Sequence, residues 1–282
     1  MSPLTLPAPG KLNLFLHITG RREDGYHDLQ TVFQFIDLCD EMTFTLTDQD
    51  GIQIQPEIPG VPLENNLIYK AAKLLEPSRK TPKGVLVKLD KKLPMGGGIG
   101  GGSSDAATTL LALNKLWQCE HNLEQLAALG KDLGADVPVF VLGHSAFAEG
   151  IGEKLTKVAP KTPYYLLLKP NCHVPTVQIF TDKHLTRDTP AIRISHALKL
   201  DGHNDCLEVV KRLYPEVDEA MTWLTQFGDA KLTGTGACLF LAFDKIDDAE
   251  RVRASAPKKW QTWVCRGRNT SPTHDALDQW IA

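Results

Sequence analysis

Leu12, Leu14, Leu16 and Ile18 alternate with Asn13, His17 and Thr19, the period-two pattern of a strand that buries one face. Met42 to Leu46 and Val85 to Leu89 read as strands on the same grounds. Between and after them come helix signals. Asn65 or Asn66 caps a helix running through Leu75, and Ser103 or Ser104 starts one that reaches about Trp117. Asn122 with Gln125 forms a capping-box signature ahead of a helix over Leu126 to Leu133. The stretch Ala159-Pro160-Lys161-Thr162-Pro163 breaks the pattern and is the best domain boundary, dividing the chain into residues 1–160 and 161–282. Beyond it, Tyr164 to Leu168 is a strand, and Asp205 with Glu208 opens a helix to about Leu213. Pro215 begins a further helix and Gly228 stops it. Cys238 to Phe243 and Thr262 to Cys265 are strands flanking a helix over Asp247 to Ala254. Helices interleave with strands in the first half, and the second half reads as a smaller α+β unit.

A length of 282 residues suits about two domains at ~100–200 residues each. Charge narrows the function: 31 basic against 34 acidic residues, net −3, argue against a nucleic-acid binder held by bulk charge. The longest apolar stretches, such as Val137 to Leu142, fall far short of the ~18 residues a membrane helix needs, so no membrane partner is expected. The N-terminus lacks the basic and apolar regions of a secretory signal, and a cytoplasmic location is expected. Six scattered cysteines show no C-x-x-C pair and are expected to be reduced and mostly buried. Nine scattered histidines form no H-E-x-x-H, so no structural or catalytic transition metal is expected.

Six of the seven positions from Gly96 to Gly102 are glycine, and a helix follows directly. Ordering such a loop is costly, because glycine loses more backbone freedom than any other residue. A bound anion would offset that cost, since backbone N–H groups without Cβ atoms in the way can converge on it and the helix N-terminus adds free donors. The alternative is a hinge or a crowded packing point. No lysine follows the glycines as in the P-loop pattern G-x-x-x-x-G-K-[ST], which speaks against a P-loop NTPase. Gly96, Gly98 and Gly101 formally match the dinucleotide pattern, but the acid about twenty residues on, Glu120, precedes a helix start instead of ending a strand.

Three shorter segments are ambiguous alone. Lys11 and Asn13 share one face at the entrance of the first strand, where they suit an anion or are simply solvated beside a turn. The segment Leu232 to Phe240, with Thr233-Gly234-Thr235-Gly236 at its centre, is a ligand loop or a tight hairpin. Asp136 lies between a helix end and the apolar run Val137 to Phe140, where a carboxylate must be paired, act as a cap, or have a raised pKa.

In this order, the segments around Lys11, Gly96 to Ser104 and Thr233 to Cys238 resemble the signature motifs of the small-molecule kinases that include galactokinase, homoserine kinase and mevalonate kinase, the GHMP kinases. Residues 7–34, 93–114, 133–140 and 232–240 are closer still to the branch of that family serving the non-mevalonate isoprenoid pathway, and the similarity weakens over 48–62, 180–200 and the C-terminal tail. The resemblance implies a two-domain α+β fold with the active site in the interdomain cleft. It implies ATP-dependent phosphorylation of the C2 hydroxyl of a small-molecule substrate, methylerythritol linked to cytidine diphosphate. Asp136 would be the general base and Lys11 its neighbour. ATP would lie on Pro94, Met95, Gly96, Gly97, Gly98, Ile99, Gly100, Gly101, Gly102, Ser103 and Ser104, with Asn66 near the nucleotide. Mg²⁺ would travel with the phosphates, with Ser103 or Ser104 as contacts. Tyr26 and Phe180 would sandwich the cytosine, His27 would bond its edge, and Asn13 would lie near the acceptor. Asp105 is assigned only a capping role. The rival functions are a sister kinase acting on homoserine or mevalonate, a dinucleotide oxidoreductase, and a nucleotide-binding module without chemistry.

Overall fold

The computed structural model describes residues 2–57, 60–198 and 202–280. Strand β1 (Leu4–Arg21) pairs antiparallel along most of β2 (His27–Thr47), and the register slips between Pro9 and Lys11 and again between Asn13 and Leu16. Such bulges re-aim side chains, and here they flank Lys11 and Asn13. Strands β3 (Ile52–Gln55) and β4 (Gly84–Asp90) run parallel to each other, joined through α1 (Leu67–Leu75), and β4 pairs antiparallel with β2. After α2 (Gly101–Leu116), α3 (Leu123–Lys131) and α4 (Val137–Leu142), strand β5 (Ala146–Glu149) joins β2 and carries β6 (Lys154–Lys157). Residues 158–163 then lead into β7 (Tyr164–Lys169). This connection is tied down: Gln34 Nε2 donates to the Lys161 carbonyl at 2.8 Å, and Asn269 Nδ2 to that of Pro160 at 2.8 Å.

The second half adds α5 (Thr176–Thr181), α6 (Ile194–Ala197), α7 (Leu207–Leu213), α8 (Pro215–Leu224), β8 (Lys231–Leu232), β9 (Leu239–Phe243), α9 (Ile246–Ala254), β10 (Gln261–Arg268) and α10 (Pro272–Gln279). Strand β7 lies between β9 and β10, and the end of β10 reaches β2 through Gly267 opposite Ile36 and Arg268 opposite Phe35. Ladder bonds thus continue from one half into the other. One core packs α1 to α4 on the first strands, a second packs α7 and α8 beneath β7 and β9, and a third joins them through Leu12, Ile36, Ile99, Tyr165 and Phe240. The last helix returns to the first core with Leu277 and Trp280. The architecture is α+β. Among the described residues no helix is long and apolar enough to cross a membrane.

Most expected elements are present, and the cap of α1 is Asn66, whose Oδ1 accepts from Ile68 N at 2.9 Å. The capping box at Asn122 and Gln125 is complete. Two caps differ from expectation. The N-cap position of α7 is Cys206, and Asp205 instead accepts from Ile18 N at 2.6 Å and from Thr189 Oγ1 at 2.8 Å, tying the helix start to β1. Helix α2 begins at Gly101, ahead of both serines, with Gly100 as its cap.

Candidate active site

The glycine loop is held from behind. Gly96 and Gly97 accept at their carbonyls from Ala237 N and Cys238 N, Gly98 from Lys11 Nζ at 3.0 Å, Ile99 from Lys11 N at 2.9 Å, and Gly100 from Ser104 N at 2.8 Å. A trans peptide sets its N–H opposite its carbonyl, so turning the carbonyls into the protein turns the amides out. Among the described residues no N–H from Met95 to Ser103 donates to a protein acceptor. A row of free amides leading into a helix N-terminus is an anion cradle. Gly96, Gly98 and Gly100 have φ of 65°, 74° and 73°, a region glycine enters without strain. Gly97 is required by contact, because a Cβ there would lie 2.4 Å from Cys238 Sγ. The side chain of Ile99, buried in the third core, anchors the loop.

Lys11 is 3% exposed and stands in front of this loop. Its ammonium donates to Asn13 Oδ1 at 2.6 Å and to the Gly98 carbonyl at 3.0 Å, and lies 3.2 Å from Asp136 Oδ2. Asn13 is fixed in turn, its Nδ2 donating to Thr31 Oγ1 and its backbone N to Thr233 Oγ1. Asp136 occupies the N-cap position of α4 but makes no cap bond, leaving its carboxylate paired with Lys11 and 31% exposed to the cavity. It is therefore paired and partly solvated.

Two depressions meet at the loop. A cavity of about 720 Å³ holds Lys11, Asn13 and Asp136 at one end and Tyr26, His27 and Phe180 at the other. A second, of about 360 Å³, runs along Asn66, Lys91 and residues 94–103, and Met95 stands 56% exposed at its rim. Gly98, Gly100 and Ser103 line both. Ser104 lines neither: its Oγ is buried in the helix without a partner. Tyr26 projects from the turn before β2 and is 61% exposed, whereas His27 is buried and stacks on Phe180 with ring centroids 5.2 Å apart. Burial, then the Arg187 and Arg21 guanidiniums, hold the His27 pKa below its ordinary value.

Family models for the GHMP kinases N terminal domain and the GHMP kinases C terminal match residues 66–144 and 189–262. A protein of Marinomonas sp. named 4-diphosphocytidyl-2-C-methyl-D-erythritol kinase is 70% identical over 282 residues, all of this chain and 92% of that protein. The chain belongs to the GHMP kinase family. It is accordingly an enzyme, a phosphotransferase of this family's two-domain fold. A crystal structure of 4-(cytidine 5'-diphospho)-2C-methyl-D-erythritol kinase superposes with a TM-score of 0.82 at 32% identity, covering 94% of this chain and 99% of the other. The Methanococcus jannaschii mevalonate kinase, at 17% identity and a TM-score of 0.69 over 95% of this chain and 99% of its own, shares the fold.

The site of this GHMP kinase also holds residues that the sequence did not single out. Lys91 lies between two buried carboxylates, 2.5 Å from Asp40 and 2.7 Å from Asp105. Asp105 is thus an ion-pair partner inside α2, correcting its assignment as a cap: its carboxylate faces Lys91 and not the helix amides. Burial raises the Asp105 pKa, opposed by Lys91 and reinforced by Asp40. A lysine three residues before Pro94 was the available signal, but nothing local names its partners. Arg187, a lone arginine in a loop, carries no sequence signature at all, whereas Thr233 lies in a segment the sequence marked and only its bond to Asn13 comes from the fold.

Proposed function

We propose that this kinase transfers the γ-phosphoryl group of ATP to the C2 hydroxyl of 4-diphosphocytidyl-2-C-methyl-D-erythritol, the phosphorylation step of the methylerythritol phosphate route. The observation that carries the reading is the buried Lys11 ammonium bridging Asp136 and the Gly98 carbonyl, where both cavities share the glycine loop. ATP lies in the smaller cavity, its phosphates on the amides of residues 95–103 and its base toward Asn66 and Met95. Its γ-phosphate then faces the larger cavity. The acceptor's cytosine lies at the far end, between Tyr26 and Phe180 with His27 on its edge, which brings the methylerythritol hydroxyl toward Asp136. Asp136 takes the hydroxyl proton as the oxygen attacks phosphorus, the bond to ADP breaks, and Lys11 balances charge on the carboxylate and the reacting oxygens. Positioning and electrostatics carry most of such a transfer. Mg²⁺ bound with the nucleotide would be held on the protein side by the Ser103 hydroxyl and would supply neutralisation of the phosphate charge; the described residues form no cluster of three or more His, Cys, Asp or Glu that could hold it alone. In this assignment residues 1–160 supply the nucleotide site and the catalytic pair, and residues 161–282 supply the Phe180 wall.

ADP release with Mg-ATP is compared for the cytidyl acceptor, homoserine, mevalonate and no acceptor. Turnover with the cytidyl acceptor alone is expected, and preference for mevalonate or homoserine overturns the substrate assignment. Asp136→Asn is expected to lower kcat by about 10²–10⁴-fold with ATP affinity retained, the range for losing a general base. Wild-type turnover in that variant removes Asp136 from the role.

A further inference from the structure

Arg187 lies in the connection between α5 and α6 and touches none of the groups assigned to phosphoryl transfer. Four of its guanidinium contacts are defined. Nη2 donates to the carbonyls of Phe180 at 3.0 Å and Asp182 at 2.7 Å, Nη1 donates to that of Leu185 at 3.0 Å, and Nε donates to His27 Nε2 at 3.0 Å. The first three wrap the end of α5 around the arginine and fix the backbone of Phe180. The fourth dictates the state of an imidazole. A guanidinium has only donors and keeps its charge in proteins, so His27 Nε2 must offer a lone pair. A neutral histidine accepting at Nε2 carries its hydrogen on Nδ1. Among the described residues Nδ1 has no hydrogen-bond partner, and His27 lines the larger cavity. The ring therefore has one thing to offer a guest, an N–H donor.

We infer that Arg187 is a positioning residue which locks His27 as the Nδ1–H tautomer and so makes the cavity select a pyrimidine whose N3 is an acceptor over one whose N3 carries hydrogen. The inference rests on the proposal that a cytidyl group binds there. Cytosine N3 presents a lone pair to the donor. Uracil N3 presents a hydrogen, and donor would meet donor. Without Arg187 the imidazole could adapt by moving its hydrogen to Nε2 and accepting at Nδ1. With Arg187 in place that route is closed, because Nε2–H would face Nε–H of the arginine. The stack of His27 on Phe180, with ring planes 29° apart, fixes the imidazole plane as well. Leaving a pair of donors unmatched typically weakens binding on the order of ten- to a hundred-fold.

The test has a spectroscopic arm and a kinetic arm. Long-range ¹H–¹⁵N NMR of the wild-type enzyme, with the His27 signals assigned by their absence in His27→Asn, is expected to show a pyrrole-type Nδ1 and a pyridine-type Nε2. In Arg187→Ala the two nitrogens should move toward the averaged shifts of exchanging tautomers. Kinetically, the ratio of kcat/KM for the cytidine acceptor to that for its uridine analogue should fall at least about ten-fold in Arg187→Ala, through KM with kcat little changed. Arg187→Lys, which can still donate to Nε2, should recover part of both signatures. A wild-type His27 with its hydrogen on Nε2, or an unchanged cytidine-to-uridine ratio in a folded Arg187→Ala, overturns the role of Arg187. The wild-type spectrum decides the matter even if the alanine variant does not fold. An enzyme that turns over neither pyrimidine acceptor overturns the substrate assignment, and with it the selection, whatever the tautomer.

Discussion

Lys11 has three ammonium hydrogens and three oxygen neighbours, the Asn13 amide, the Gly98 carbonyl and the Asp136 carboxylate, with the Phe33 ring 5.2 Å away. A buried cation so satisfied holds its position without a guest, which is what catalysis by preorganised charge requires. The glycines around it are not equivalent. A Cβ on Gly98 would lie 2.4 Å from the Thr233 carbonyl at a φ of +74°, whereas on Gly102 it would meet only the Leu67 side chain at 3.5 Å. Gly98→Ala should therefore destabilise the fold by about 1–3 kcal/mol from backbone strain alone and weaken nucleotide binding. Gly102→Ala should melt within about 0.5 kcal/mol of wild type, as surface substitutions without a special contact do. Urea unfolding with nucleotide titration separates them, and equal melts for the two variants would show that the Gly98 contact is not limiting. Six glycines in seven positions read as one cradle in the sequence, yet they divide by tertiary contact into those that turn the chain, those that let another segment approach, and those whose added Cβ would meet only a side chain at ordinary distance.

Helix α2 shows at the scale of an element how a local signal is reassigned. Asp105, five residues from the Gly100 cap, is near enough to the helix start to resemble a dipole partner, but it is buried beside Lys91 and Asp40. Burial pushes its pKa up to about 7, against an ordinary carboxylate value near 3.8. A group whose pKa is raised by folding contributes stability below its unfolded pKa and loses it as pH rises through the folded one. For Asp105 that window runs from about pH 4 to about pH 7. Asp105→Asn, which stays neutral throughout, should gain in melting temperature relative to wild type as pH is raised across the window, and Lys91 keeps Asp40 as its partner. A constant difference between the two across that range would show that Asp105 titrates normally. The reassignment could not be read locally, because Asp40 is 51 residues from Lys91 and meets it only through the pairing of β2 with β4.

The molecule as a whole is closed by its C-terminal end. Strand β10 extends the ladder from β7 to β2, and α10 then docks on the first core, where Thr273 Oγ1 donates to the Pro7 carbonyl at 2.7 Å. His274 lies 2.9 Å, through Nε2, from the Val141 carbonyl at the end of α4. Burial lowers its pKa, outweighing the hydrogen bonds to Val141 and Phe140. A lowered histidine pKa contributes stability above about pH 6.5 and loses it as pH falls through the folded value. Relative to His274→Gln, the wild-type melting temperature should accordingly fall between about pH 7.5 and pH 5, a difference that the opposite slope of Asp105, common to both proteins, leaves unchanged. His17 and His27 are lowered too, and likewise act in both proteins. A gap between the two that does not move with pH would place the acid sensitivity elsewhere.

Much of this protein was determined by sequence alone, and the reason is periodicity and local bonding. The Asn122–Gln125 box, Pro215 at a helix start and the glycine cluster before α2 rest on contacts within a few residues, so chain order suffices to read them, whereas the alternation in β1 marked the strand but not its burial: the face of Lys11, Asn13 and His17, expected to be open, is buried as well. The motifs were sufficient for the family. What only the tertiary structure decided are the meetings across the chain: Lys11 with Gly98 and Asp136, Thr233 with Asn13, Lys91 between Asp40 and Asp105, and Arg187 on His27. Those pairs are 14 to 220 residues apart in sequence, and a lone lysine, threonine or arginine looks the same in solvent as in a site. Their chemistry comes from burial and from the partner that folding delivers, neither of which a linear pattern contains.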